Sequence, residues 1–215
     1  MNPVRSGGHG GNTARQAKGA DTVLRLRHSR PRFLLHSSAL MGIMALLAGA
    51  TPGHAAYPTS GTIDGGATVT VPDDGPTNYW NPSNLSVGYS STGTLIIQNG
   101  GTVGSSGTAY IGRSAGTQGS VTVSGSGSQW TYNNRLYIGS LGKGSLEILA
   151  GGTVVNISTI TDYIGYGGGS TGFVTVSGTG STWTTPAFVV GESGNGTLTI
   201  ADHGIVHTST TVLVA

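Results

Sequence analysis

A short apolar step that ends in glycine returns along this chain at a nearly constant distance of about 25 residues, a period typical of solenoids, propellers and other arrays. The steps are Val87-Gly88, Ile111-Gly112, Ile138-Gly139, Ile164-Gly165 and Val190-Gly191. Val214 follows Val190 at the same distance as Ile111 follows Val87, so it is in register for a further step. In such arrays each unit buries its apolar face against its neighbours.

Two kinds of unit alternate between these steps. The first kind reads Gly-Thr-Leu-Ile-Ile and then Gly-Gly-Thr-Val, and its copies, which vary slightly, begin at Gly93, Gly144 and Gly196. The second kind reads Val-Thr-Val-Ser-Gly and then reaches a tryptophan, as in residues 121–130 and 174–183. The alternation means that equivalent positions of neighbouring units carry different side chains.

Each unit contains three strand-length segments separated by Gly, Ser or Asn turns. In the unit that begins at Leu136, these segments are residues 136–139, 145–149 and 153–155. Alternation within a segment places Leu146 and Ile148 on one face and Ser145 and Glu147 on the other. Three such strands form one coil, and coils that stack about 4.8 Å apart pair their strands in parallel.

The sequence therefore predicts an all-β chain folded as a right-handed parallel β-helix of about five to six coils. Residues 85–215 are predicted to form the repeats and residues 56–84 a divergent N-terminal cap coil, because a stacked array needs a terminal unit of different character. The rival architecture is a β-propeller, since two units together have the length of one blade. The coil is favoured because adjacent units share the apolar-glycine step and the basic period is about half a blade.

Residues 1–55 are predicted to form a signal peptide with a long basic front. Seven of the ten basic residues lie before residue 33, and an apolar run follows at 39–50. That run is shorter than the roughly 20 residues of a membrane-spanning helix. The helix-breaking and small residues at 51–55 suit cleavage after Ala55, with Ala56 as second choice. An ordinary buried helix is the alternative, but it does not explain why the basic residues precede the run.

From Ala56 onward three basic and seven acidic side chains remain. A nucleic-acid-binding protein needs a basic face on its folded part, so no nucleic-acid partner is predicted. The sequence contains no cysteine, which excludes disulfides and thiolate zinc sites. The mature chain is predicted to have no stable membrane span.

These repeats resemble the type V secretion and PEP-CTERM-associated repeat of bacterial autotransporter passenger regions. The likeness lies in Gly-Thr-Leu-x-Ile-x-x-Gly-Gly-x-Val alternating with Val-Thr-Val-Ser-Gly-x-Gly-Ser-x-Trp-Thr over residues 67–215. The resemblance implies an exported, right-handed β-helical passenger from a Gram-negative bacterium, with an adhesive or structural role at the cell surface. It also implies partners among host or matrix glycans or protein surfaces.

The resemblance is incomplete at the C-terminal end. The chain ends within a unit, without a membrane β-barrel or a Pro-Glu-Pro sorting tail, and we expect a truncated reading frame or a fragment of a longer protein. The open last coil is expected to allow self-association, because an unpaired strand edge can pair with another chain. The expected location is the cell surface or the medium for a full autotransporter and the periplasm for a truncated chain.

The carboxylates give little support for an enzyme. A polysaccharide-cleaving β-helix is the alternative function, and glycoside hydrolysis needs two carboxylates held about 5–10 Å apart. Asp73 and Asp74 are adjacent but lie in a Pro- and Gly-rich turn, and His203 and His207 need not face the same way. We therefore expect no catalytic residues, no cofactor and no metal ion. A truncated remnant without activity of its own is a third reading.

The aromatic residues are the most informative side chains for function. Trp80, Trp130 and Trp183 occur in every second unit, so they could form a surface ladder for sugar rings or fill corners of the core. The position in the core is favoured over the surface ladder. Four tyrosines beside the apolar-glycine steps are predicted to stack in the same way, namely Tyr110, Tyr137, Tyr163 and Tyr166.

Overall fold

The computed structural model describes residues 56–74 and 77–215. The predicted signal peptide, residues 1–55, lies outside the described residues. Every regular element in the described part is a strand, and the strands are β1 (Thr62–Ile63), β2 (Ala67–Val71), β3 (Tyr79–Trp80), β4 (Leu85–Val87), β5 (Thr92–Ile97), β6 (Thr102–Ser105), β7 (Ala109–Ile111), β8 (Gln118–Ser124), β9 (Gln129–Tyr132), β10 (Leu136–Ile138), β11 (Lys143–Leu149), β12 (Thr153–Asn156), β13 (Asp162–Ile164), β14 (Thr171–Ser177), β15 (Thr182–Thr185), β16 (Phe188–Val190), β17 (Asn195–Ala201), β18 (Ile205–Thr208) and β19 (Val212–Val214). Within that part of the chain, no helix has the length and apolar character needed to cross a membrane.

The strands form three parallel sheets along a coiled chain. The first sheet has the order β1-β4-β7-β10-β13-β16-β19, the second contains β2-β5-β8-β11-β14-β17, and the third contains β3-β6-β9-β12-β15-β18. Each strand therefore pairs with the strands three positions before and after it in the chain. The fold is a β-solenoid of about six turns, which confirms the predicted coil and excludes the propeller.

The apolar-glycine steps set the register of the first sheet. Ile138 pairs with Ile111 on one side and Ile164 on the other, and Val214 pairs with Val190 as its spacing predicts. The three strands of the unit at Leu136 fall where the alternation places them, as β10, β11 and β12. The divergent first coil follows the same pattern, because β1, β2 and β3 pair with β4, β5 and β6.

Inward side chains of successive coils form continuous apolar columns. In the second sheet one column contains Leu95, Val121, Leu146 and Val174, which pair in register and are at most 1% exposed. Full burial of one such side chain contributes about 1.5–3 kcal/mol. The hydrophobic core is therefore a rod along the solenoid axis.

A column of glycines forms the corner between the first and second sheets. Gly93, Gly119, Gly144, Gly172 and Gly196 lie in register at the same position of β5, β8, β11, β14 and β17. A Cβ atom at Gly144 would collide with the backbone nitrogen of Gly139 and the carbonyl oxygen of Ile111. The corner is therefore so tight that glycine is needed for its small size.

Replacing Gly144 by alanine tests this constraint. We expect Gly144→Ala to lower the free energy of unfolding by at least about 2 kcal/mol, because the colliding atoms belong to the backbone and cannot rotate away. Gly168→Ala is the matched control, since a Cβ atom there meets nothing within 4 Å, and we expect a change within about 0.5 kcal/mol. Urea unfolding followed by circular dichroism measures both. Equal effects of the two variants would contradict the packing argument.

Candidate functional site

The tryptophans lie in the core and not on the surface. Trp130 and Trp183 are 0% exposed and Trp80 is 6% exposed. In the third sheet they alternate in register with Val103, Val154 and Val206, so that a large side chain follows a small one along the column. A surface ladder of tryptophans is therefore wrong, because their strand positions point inward. The two kinds of unit therefore alternate as the side chain in this core column alternates between large and small.

The tyrosines form a half-buried ladder on the outer face of the first sheet, with Tyr166 exposed beside it. Tyr110, Tyr137 and Tyr163 pair in register on the outer face of the first sheet. The ring centroids are 5.2 Å apart between Tyr110 and Tyr137 and 5.5 Å apart between Tyr137 and Tyr163, with interplanar angles of 5° and 12°. Tyr166 packs edge-on against Tyr137 and Tyr163, with centroids 5.0 and 4.9 Å away. The predicted stacking is confirmed for Tyr110, Tyr137 and Tyr163, whereas Tyr166 packs edge-on against the stack.

Two arginines cover opposite sides of this ladder. The guanidinium carbon of Arg113 lies 4.5 Å from the ring centroid of Tyr110 and 4.8 Å from that of Tyr89. The corresponding carbon of Arg135 lies 5.8 Å from the Tyr137 centroid and 5.4 Å from the Tyr163 centroid. Cation–π contacts of this kind stabilise by about 0.5–1 kcal/mol at exposed sites. They fix the position of both charges on the sheet.

We call this surface the tyrosine–arginine face, and it comprises Tyr89, Tyr110, Tyr137, Tyr163, Tyr166, Arg113 and Arg135. Arg135 is held further by two hydrogen bonds, since its Nη1 donates to the Tyr137 hydroxyl at 3.2 Å and its Nε donates to the Thr161 carbonyl at 3.1 Å. The sequence predicted the stack of tyrosines but assigned no role to the arginines. The equal spacing from the apolar-glycine steps could have placed Arg113 beside Tyr89.

A polar recess of about 360 Å³ opens at the N-terminal end of the tyrosine ladder. It exists because Thr62 and Ser86 occupy the positions in register with Tyr110, so the first two coils carry small side chains where the next three carry tyrosines. Its lining residues are Ser60, Thr62, Asn84, Leu85, Ser86, Thr108, Tyr110 and Arg113. The recess thus combines hydroxyl and amide groups with one guanidinium group.

A second polar cluster lies inside the solenoid, around Asp162. Its side chain is 0% exposed, although the neighbouring positions in its column carry Leu136 and Phe188. The hydroxyls of Tyr132 and Thr185 donate to Oδ2 at 2.6 Å each, the Leu136 amide donates to Oδ1 at 2.7 Å, and the Asn156 amide donates to both oxygens at 3.2 Å. Four residues therefore satisfy this carboxyl group inside the core.

Burial determines how Asp162 titrates. Desolvation raises the pKa of this carboxyl group from 3.8 to about 6, although the hydrogen bonds from Thr185 and Tyr132 oppose the shift. Burial, followed by the charge of Asp162, raises the pKa of Tyr132 well above its ordinary value, so this phenol stays neutral. Sequence reasoning missed the cluster. The signal was present, because Asp162 lies two residues before the inward Ile164 and therefore points the same way.

Asp162 makes stability depend on pH. Because the folded pKa of Asp162 lies above its unfolded pKa, the contribution of this group to stability is fully present below about pH 4 and is lost as the pH rises to about 6. In this range the unfolded chain releases the proton while the folded chain still holds it. A two-unit shift corresponds to a loss of about 3 kcal/mol. We expect Asp162→Asn to remove this slope. Urea unfolding of both proteins between pH 4 and 7 measures it, and parallel curves would contradict the assignment.

The remaining candidate residues support local structure. Asp74 accepts a hydrogen bond from the Thr70 amide at 2.5 Å, and Asp73 accepts one from the Gln98 side chain at 3.0 Å. His203 lies in a turn with a φ of 67°, and His207 lies in β18. Among the described residues, no three His, Cys, Asp or Glu side chains come together in a metal-binding arrangement.

One comparison with known proteins links this chain to a surface protein. Over 100 residues, which make up 46% of the chain, the sequence is 35% identical to the Adhesin BmaC autotransporter of Brucella suis biovar 1. The chain is similar to part of an autotransporter adhesin. The matched stretch covers only 3% of the length of that relative. No protein-family model matches the chain, and no solved structure gives a significant match.

Proposed function

We propose that this chain is a non-catalytic, exported passenger module that adheres to surfaces through the outer faces of its β-solenoid. The observation that carries the proposal is the 35% identity with the autotransporter adhesin on a chain that folds as a β-solenoid. The fold supports this role, because stacked coils hold outward side chains in straight rows at the spacing of paired strands. The partners are surfaces of host cells, extracellular matrix or neighbouring cells.

The tyrosine–arginine face is the part of the solenoid best suited to contact. Tyr89 and Tyr166 are 43% and 38% exposed, which leaves aromatic surface open to a partner. Tyrosine and arginine are enriched at the energetic centres of interfaces, because they combine a large contact area with hydrogen-bonding groups. The stacking described above holds these side chains in place before binding and so lowers the entropy cost of association.

Adhesion under flow tests the proposal. Beads coated with the purified chain are passed over layers of epithelial cells, matrix proteins and polysaccharides, and we expect retention on at least one surface above that of albumin-coated beads. Tyr163→Ala is expected to lower retention several-fold, because it removes a ring of the tyrosine ladder on the outer face of the first sheet. Thr122→Ala, on the outer face of the second sheet, is the matched control and should leave retention unchanged. Absence of retention on every surface would refute adhesion.

Export is tested separately. A C-terminally tagged chain in a Gram-negative host is expected to lose residues 1–55 and to appear outside the cytoplasm, because the basic front and the apolar run form a secretion signal. Mass spectrometry of the purified product measures the cleavage site. Cell fractionation with surface protease treatment then distinguishes periplasmic from surface-exposed protein. A full-length product that stays in the cytoplasm would contradict the proposed export.

A further inference from the structure

We propose that the recess at Arg113 binds a carboxylated sugar of an acidic polysaccharide, whose chain continues across the tyrosine ladder toward Arg135. This proposal rests on the adhesive function and names the chemistry of one of its partners. It follows from three features of the described residues, namely the charges on the face, the polar lining of the recess and the order of the aromatic rings.

The charges on this face are unusual for the protein. From Ala56 onward the chain has only three basic side chains against seven acidic ones, and two of the three, Arg113 and Arg135, lie on the tyrosine–arginine face. Neither arginine forms a salt bridge in the described part of the chain. Both guanidinium groups instead lie against tyrosines, which hold them without neutralising them. A ligand with separated negative charges would supply the missing partners.

Asp162 directly precedes Tyr163, but its carboxyl group is buried on the inner side of the first sheet. The carboxylates of Asp64 and Glu192 lie toward the two ends of the face. Asp64, in the first coil, accepts hydrogen bonds from the amides and hydroxyls of both Ser90 and Ser91. These hydrogen bonds, of which the one from the Ser90 hydroxyl has the largest effect, hold the pKa of Asp64 well below its usual range. The carboxylate is therefore charged and already hydrogen-bonded within the turn. Glu192 follows Gly191 at the position that Arg113 occupies after Gly112, three coils away. On its outer surface, the middle of the face therefore carries the two arginines and no carboxylate among the described residues.

The recess supplies groups that recognise sugar hydroxyls. Asn84, Thr62 and Thr108 offer an amide and two hydroxyls beside the Arg113 guanidinium. Ser86, on the same wall, is 5% exposed, and its Oγ has no hydrogen-bond partner among the described residues. A buried polar atom without a partner is costly, and a bound hydroxyl or water in the recess would satisfy it. Donors and acceptors beside a fixed cation suit a uronic acid.

The order of side chains favours an extended chain over a single sugar. Arg113 lies against Tyr110, Tyr110 stacks on Tyr137, and Tyr137 contacts Arg135. An oligosaccharide laid across this row meets one guanidinium on each side of the ladder and aromatic rings between them. The two arginine charges suit a polysaccharide in which only one sugar in every few carries a carboxylate. A densely sulfated polymer would require many more basic residues to release its counterions.

A binding titration tests the site directly. The probe is a fluorescently labelled hyaluronan decasaccharide, which carries one carboxylate per disaccharide, and fluorescence anisotropy with the purified chain measures Kd. We expect binding that weakens as salt rises and that is lost with the carboxyl-reduced decasaccharide. Arg113→Gln should weaken binding about tenfold, because one charge-assisted pair is lost. Arg135→Gln should weaken it by a smaller factor.

Control variants separate site chemistry from net charge. Lys143→Gln removes the same charge from the first residue of β11, in the second sheet, and should change Kd by less than about twofold. Arg113→Lys keeps the charge but loses the planar, forked donor set, and it should bind more weakly than the wild type. Thermal unfolding of each variant verifies that the fold is retained.

Several results would overturn the site. One is failure of the wild type to bind the decasaccharide, and another is equally tight binding of the carboxyl-reduced form. Tighter binding of heparin or polyglutamate would also contradict the site. So would an effect of Lys143→Gln on Kd as large as that of Arg113→Gln. The bead experiment distinguishes the proposed glycan site from the proposed adhesive function of the whole chain. If beads carrying Arg113→Gln and Arg135→Gln together adhere as the wild type does, adhesion stands and the glycan site fails. If the probe binds but beads adhere to nothing, the site stands and adhesion fails.

Discussion

The structure depends on parallel pairing of each coil with the next in a fixed register. Every strand pair in the described part of the chain is parallel, and each coil supplies one strand to each sheet. A slip of one residue would turn every inward side chain outward. The glycine corner column prevents such a slip, because residues such as Gly119 and Gly172 approach the neighbouring backbone too closely for any other residue. Packing and hydrogen bonding therefore specify the same register.

This register explains how the interior tolerates variation. Alternating tryptophan and valine in the third sheet places a large side chain in register with a small one in each adjacent coil. A core column of the first sheet even contains a carboxylic acid, since Asp162 lies between Leu136 and Phe188 at equivalent positions of successive coils. This acidic side chain is tolerated in the core because hydroxyl and amide groups donate hydrogen bonds to its carboxyl group. A buried acid without these partners would cost several kcal/mol.

The outer faces are free to vary. Among the described residues, the outer face of the first sheet carries the stacked tyrosines and two arginines, whereas isolated aromatic side chains such as Phe173 lie outward on the second sheet. Tyrosines in successive coils come about one strand spacing apart, which is close to the stacking distance of aromatic rings. The solenoid therefore produces a ring stack whenever one outward position carries tyrosine in consecutive units. Arg113 and Arg135 extend this row on both sides. A rigid scaffold with a pre-ordered row of this kind suits surface contact more than catalysis.

The sequence by itself determined the coil. The constant period of the apolar-glycine steps, the alternation within each segment and the repeated glycines fixed three strands per turn, parallel pairing and the register of Val214, because these are local and periodic properties. It also predicted the tyrosine stack. Only the tertiary structure decided which way the tryptophans point, brought Asp162 together with Tyr132 and Thr185, and placed Arg135 beside Tyr163. The contacts of Asp162 with Tyr132 and of Arg135 with Tyr163 join residues from different coils, and their geometry depends on how corners turn, which periodicity does not encode.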